Sequence, residues 1–205
     1  MTRTTLAVSL VVAAAGCSKT PSTTTPAPAE PAPTAAAPAS APASAPMATM
    51  PAAPARGDDT DRKSKNGVLE ATVSGVPVRV QYGRPHVNGR TVFGELIPYG
   101  EVWRTGADEA TTLSLAKDAT VAGEPVAAGT YALFTIPGKD GWKIVLNTVA
   151  QQWGAYKIDR SKDVVVADVA ATAHDATEVM TFTGGDSGLV LTWADTAVTI
   201  PISAR

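Results

Sequence analysis

The sequence predicts an all-β protein: an antiparallel β-sandwich, jelly-roll-like, with one long loop, standing behind a signal peptide and a disordered Ala/Pro-rich tether. Three observations lead there. From Val68 onward, apolar residues alternate with polar ones in runs of four to eight. Turn-forming clusters of Gly, Asp and Ser separate most of those runs. No segment carries a long helical period, so the short alternating runs read as strands of a sandwich or barrel.

The chain begins differently. Arg3 is the only charge in Met1–Thr5, Leu6–Ala15 is almost continuously apolar, and Gly16-Cys17 follows. A charged start, a short apolar middle and a small-residue end make a secretory signal. The apolar stretch is too short for a membrane span, which needs ~20 residues. Ala14-Ala15-Gly16-Cys17 resembles the lipobox of bacterial lipoproteins, with Ala where that pattern usually has Leu three residues before the cysteine. The resemblance implies a signal peptide over residues 1–16, an acyl (palmitate-type) anchor on Cys17, and an exported protein lipid-anchored to a bacterial cell membrane or outer membrane. Ser18, rather than Asp, leans towards the outer membrane by the sorting rule of enteric lipoproteins. The alternative is cleavage after Ala15, since Ala13-Ala14-Ala15 also satisfies the small-x-small rule. Cys17 is the only cysteine, so no intramolecular disulfide can form.

Residues 17–61 read as the lipidated cysteine and a disordered tether. Ten of the 16 prolines lie between Pro21 and Pro54, among Ala, Thr and Ser. Such a segment has no apolar face to bury and cannot repay its ordering entropy. Its prolines forbid the helix that alanine alone would favour. The remaining stretch, 62–205, is long enough to bury a core without disulfide or metal. From Gly57 onward, 14 Lys and Arg stand against 18 Asp and Glu, a net charge of −4. That acidity argues against a nucleic-acid partner.

Within this domain Val68–Val73 and Val76–Tyr82 flank Ser74-Gly75, a two-residue hairpin signal. Val76, Val78, Val80 and Tyr82 share one face, while Pro77, Arg79 and Gln81 share the other, as in a half-buried strand near an edge. Further strands are expected at Ala110–Leu115, Ala119–Val121, Thr130–Ile136, Trp142–Asn147, Val164–Val169, Thr177–Thr183, Leu189–Trp193 and Ala197–Ile200. Two loops break the rhythm: Gly83–Glu109, with one helical turn expected near Val92–Leu96, and Val149–Arg160.

Gly83–Glu109 is the segment most like a site. It is 27 residues long, and loops beyond about 15 residues are uncommon in compact domains and often functional. Arginine suits bidentate capture of carboxylate or phosphate, and Tyr and Trp offer flat walls with a polar edge. Tyr82, Arg84, Arg90, Trp103, Arg104, Asp108 and Glu109 are therefore candidate binding residues for a small anionic or sugar-like ligand. The competing expectation is structural: the loop's carboxylates suffice to pair every Arg, with Phe93 and Trp103 as plugs.

The same loop carries a resemblance. Tyr82-Gly83-Arg84-Pro85, Gly89-Arg90-Thr91-Val92-Phe93-Gly94 and Pro98-Tyr99-Gly100-Glu101-Val102-Trp103-Arg104-Thr105-Gly106-Ala107-Asp108-Glu109-Ala110-Thr111 are similar to the signature of an uncharacterised bacterial family of exported proteins and lipoproteins, a domain of unknown function. Ala128–Pro137, Trp142 with Asn147, and Trp153-Gly154-Ala155-Tyr156 continue the match. The family pattern usually has Asn where this chain has Asp108. The resemblance implies a sandwich-like fold and no stated activity.

Other signals are weak. Gly185-Asp186-Ser187-Gly188 reads as a hairpin turn rather than a protease nucleophile, because a triad is defined by geometry and the domain is short for that fold. The two histidines, His86 and His174, are 88 residues apart without short ligand spacing, so no metal and no cofactor is expected. Three functional readings remain. One is a non-catalytic ligand-binding or interaction module of the cell envelope. The second is a hydrolase or lyase on an envelope polymer, using Asp108 or Glu109 with Arg104. The third is a purely structural envelope protein.

Overall fold

The computed structural model describes residues 49–205; Cys17, the signal sequence and the tether through residue 48 lie outside the described residues. In chain order the strands are β1 (Lys65–Val73), β2 (Val76–Arg84), β3 (Thr111–Leu115), β4 (Ala119–Val121), β5 (Glu124–Val126), β6 (Gly129–Ile136), β7 (Trp142–Asn147), β8 (Asp163–Val169), β9 (Ala171–Gly184) and β10 (Gly188–Ala204). They form two antiparallel sheets, ordered β1-β2-β3-β6-β7-β8 and β5-β4-β10-β9. The sheets pack face to face, so the domain is the antiparallel sandwich that alternation predicts.

Local chemistry explains the hairpins. Ser74 and Gly75 have φ of 47° and 74°, and Ala122 and Gly123 have 49° and 89°. Two successive left-handed residues match the twist of the flanking strands, which is why such turns close β1–β2 and β4–β5 tightly. In β2, Val76, Val78, Val80 and Tyr82 are all buried, and the intervening Pro77, Arg79 and Gln81 are half-buried. Pro77 is tolerated although β2 is an inner strand: the β2–β3 ladder covers only Val78–Gln81. The inward faces of both sheets, from Leu113, Leu133, Ile144 and Leu146 to Met180, Leu191 and Ile200, form one continuous core.

The elements depart from expectation in four places, one of them β9, which starts at Ala171, ahead of the expected Thr177. Leu189–Trp193 and Ala197–Ile200 belong to one strand, β10. Between them Ala194 adopts φ of 53° at a register shift against β9, so a bulge keeps the chain in the ladder. The short strand β5 has too few apolar residues to register as a run. Val92–Leu96 forms no helical turn. Leu96 and Ile97 donate to Thr91 and Val92 five residues back, at 3.2 and 2.8 Å, closing a wider turn.

One end of the sandwich is plugged by aromatics. Trp103 stacks on Trp193 with centroids 5.6 Å apart and planes at 20°. Phe93 meets Trp142 and Trp193 edge-on at 4.8 and 5.9 Å. Phe93 and Trp103 come from the long loop; Trp142 and Trp193 come from one sheet each. The loop is thereby seated on the core, and the residues beside Trp103 have fixed positions.

Candidate functional site

The loop between β2 and β3 is tied down by its backbone. Val87 donates to Glu178 O at 2.8 Å and Met180 donates to Pro85 O at 3.0 Å, so the loop's start pairs with β9. Trp103 and Thr135 exchange both backbone hydrogen bonds, at 2.8 and 2.9 Å. At its far end Ala110 donates to Gln152 O at 2.9 Å. The two ends of the loop meet: a Cβ at Gly83 would lie 2.4 Å from Ala107 O, so only glycine permits this approach.

The stretch Arg104–Asp108 is strained. Thr105, fully buried and β-branched, has φ of 54°, and Asp108 has 62°. Thr105 is held there by its hydroxyl bond to Thr135 Oγ1 at 3.1 Å and by Thr111 Oγ1, which donates to its carbonyl at 2.7 Å. A β-branched residue in the left-handed region costs about 1–3 kcal/mol and persists only where surrounding structure imposes it. Such residues cluster at binding and catalytic sites.

Arg104 stands at the start of this stretch. Among the described residues it forms no ion pair, and its Nε is buried without a hydrogen-bond partner. It borders a cleft of about 540 Å³ together with Lys63, His86, Arg90, Trp103, Asp108 and Trp193. The indole N–H of Trp193 is likewise buried and unpartnered. Both donors are shielded from solvent, and each costs about 1–3 kcal/mol when left unsatisfied. Three full cations line the cleft against one carboxylate, and Asp108 already has Arg62 Nη1 at 3.8 Å.

Glu109 faces another environment. Its carboxylate accepts both Nη atoms of Arg62, at 2.5 and 2.7 Å, and the Gly57 N–H at 3.0 Å; Arg56 Nη2 lies at 3.2 Å. The hydrogen bonds from Arg62, aided by that of Gly57 and the charge of Arg56, hold its pKa down at about 2. Arg56 is itself 7% exposed. It donates to Ala107 O at 2.8 Å, Glu109 O at 3.2 Å, Ala110 O at 3.3 Å and Asn66 Oδ1 at 2.8 Å. Burial lowers the pKa of its guanidinium, and the charge of Glu109 opposes that shift. Composition assigned residues 49–61 to the tether, yet Arg56 and Gly57 are part of the folded unit. Nothing in a Pro/Ala-rich stretch ending in Arg-Gly-Asp-Asp signals that one arginine will find a cage of carbonyls.

The seven candidate residues therefore divide. Arg90, Trp103, Arg104 and Asp108 border one cleft. Tyr82 is buried against Phe182, its hydroxyl accepting the Phe182 N–H at 3.1 Å. Arg84 turns to β9, donating to Met180 O and Thr181 Oγ1 at 3.4 and 3.3 Å. Glu109 lies on the Arg56 side. Arg90 is partly committed, since its guanidinium donates to the Val87 and His86 carbonyls. Lys63 and Trp193 also line the cleft; nothing in the sequence marks Lys63, whereas Trp193, in a strand-like run, reads as core and is core, 1% exposed. The first comes from the segment before β1 and the second from β10.

Residues 64–202 match a family described as "Protein of unknown function (DUF2911)". The chain belongs to that family. No curated protein and no solved structure matches it. The DUF2911 match contains Arg90, Trp103, Arg104, Asp108 and Trp193 and begins just after Lys63. Asn and Asp are the non-glycine residues that enter the left-handed region most readily, and φ at 108 is 62°.

Proposed function

We propose that this DUF2911 domain is a non-catalytic binding module of the bacterial cell envelope, held at a membrane by lipid on Cys17, and that its cleft takes a small anion. The observation that carries the reading is Arg104: its Nε is buried, it has no carboxylate partner among the described residues, and it lies on the wall of the 540 Å³ cleft and of a second cleft of about 400 Å³ beside Glu101 and Tyr156. Arginine pairs bidentately with carboxylate and phosphate alike. Arg84 and Arg90 also lack a carboxylate partner, but their guanidiniums donate to carbonyl or hydroxyl oxygens, whereas that of Arg104 has no hydrogen bond among the described residues. Glu109, which could have served, is held by Arg62 and Arg56 instead.

The hydrolytic alternative finds less support. A carboxyl held near pKa 2 is ionised at neutral pH and is a poor general acid. Asp108 alone leaves the second catalytic role unfilled.

The test is a thermal-shift titration of the full chain with inorganic phosphate, succinate, citrate and a neutral disaccharide. A ligand that binds only the native state stabilises it by about 2.7 kcal/mol at a hundred times its Kd. An anion should raise the midpoint of the wild type and leave Arg104→Ala unmoved; the disaccharide should move neither. If no anion shifts the wild type, or the shift survives in Arg104→Ala, the reading fails. Membrane fractionation of Cys17→Ala tests the anchor separately, and full retention of that variant would count against lipidation.

A further inference from the structure

The segment before β1 does two things at once. Through Arg56, Gly57 and Arg62 it grips Glu109 and the carbonyls of Ala107, Glu109 and Ala110. Through Lys63, the residue after Arg62, it supplies part of the cleft wall. The gripped residues directly follow Arg104–Gly106, the strained stretch that presents the unpartnered guanidinium. Arg62 also lies over the ring of Trp153, 5.8 Å from its centroid. Trp153 is 63% exposed, but its backbone neighbours are pinned to the same loop: Gln152 O accepts from Ala110, and Gly154 donates to Asp108 O at 3.2 Å.

We infer that residues 56–63 are a latch that positions the anion cleft, with Glu109 as its keeper, so that latch docking and anion binding stabilise one another. The inference rests on the reading of the cleft as an anion site. With the latch docked, Lys63 faces the cleft and residues 107–110 are clamped. With it released, the cleft loses a cation and Arg104 loses the anchored chain that follows it. An anion that prefers the docked state must shift the latch towards docking, and by thermodynamic reciprocity the docked latch must tighten the anion. Arg56 and Arg62 are thus positioning residues rather than ligand contacts. The latch lies upstream of residue 64, where the family match begins, so this regulation belongs to the chain's own N-terminal extension.

Two measurements on the full chain test this. The first is hydrogen exchange followed by mass spectrometry, with and without inorganic phosphate or succinate. Arg56→Ala should speed exchange in the peptide spanning 104–111 by tenfold or more, with β6 and β7 protected as before. Saturating anion should slow exchange across 56–63 in the wild type. The second is calorimetric titration, in which Arg56→Ala and the milder Arg62→Gln should each weaken the anion by about fivefold or more without contacting it. Unchanged affinity in a folded Arg62→Gln, or unaltered exchange across 56–63 when anion is bound, would overturn the latch. If Arg56→Ala fails to fold, Arg62→Gln decides alone. If the wild type binds neither phosphate nor succinate, the anion reading and the linkage both fall. Unaltered exchange at 104–111 in Arg56→Ala would then dispose of the clamp as well.

Discussion

Arg104 and Glu109 stand five residues apart on one loop, and their surroundings are opposite. Glu109 is surrounded by donors: Arg62 twice, the Gly57 amide, and Arg56 at 3.2 Å. Arg104 has no partner of opposite charge among the described residues, and its Nε is buried all the same. Paired charges are the usual business of a loop that must be held down. Arg104 instead stands unpaired beside a strained backbone. The comparison teaches that charge count was a poor guide here. The loop has carboxylates enough for every arginine, but geometry gives the best of them to arginines from outside the loop.

The largest effect that could sharpen the contrast lies next to Arg104. Trp103 is 5% exposed and stacked in the aromatic plug. Trp103→Ala should cost about 4 kcal/mol, in the range for emptying a large aromatic site, read as a fall in the urea midpoint. A loss under about 1 kcal/mol would mean that the plug does not seat the loop.

A smaller, pH-dependent effect belongs to Glu109. Its carboxyl titrates near 4.5 when unfolded and at about 2 when folded. A depressed folded pKa contributes stability that is fully present above pH 4.5 and is lost as pH falls towards 2. Glu109→Gln should lower the midpoint at pH 7 and flatten its decline between pH 4.5 and 2. Parallel acid limbs in wild type and variant would show that Glu109 is not held as its contacts indicate.

The smallest effect is expected at Arg104. With no ion pair to break, Arg104→Ala should leave the urea midpoint within about 0.5 kcal/mol of wild type, as for substitutions outside any paired network, or raise it slightly by removing an unsatisfied donor. A loss of about 3 kcal/mol or more would be the signature of a broken buried pair, and would return Arg104 to the scaffold.

Much of the fold was legible beforehand. The alternation in Val76–Tyr82, the Ser74-Gly75 turn and the Trp142–Asn147 run each carried their own evidence, because strand period and turn conformation are local properties. The β10 bulge shows in the sequence only as a gap, since Ala194-Asp195-Thr196 interrupts the apolar alternation whether or not a neighbouring strand holds the chain in register. Of the site, the loop was visible through its length and its arginines, but its division was not. Tyr82 entered the core and Arg84 turned to β9, although both border the loop in sequence.

The sequence by itself therefore determined the class of fold, the inward faces of the strands and the segment that would carry polar chemistry. Side chains alternate along a strand whatever its partner, and a long Arg-rich loop must lie at a sandwich's edge. Only tertiary structure decided which charge is paired and which is left open. Arg56 and Arg62 reach the loop across separations of 47 to 54 residues, and Trp193 comes to the cleft from the far end of the chain. Electrostatic pairing depends on distance in space, and between residues so far apart in sequence that distance is set by how the two sheets and the N-terminal segment pack.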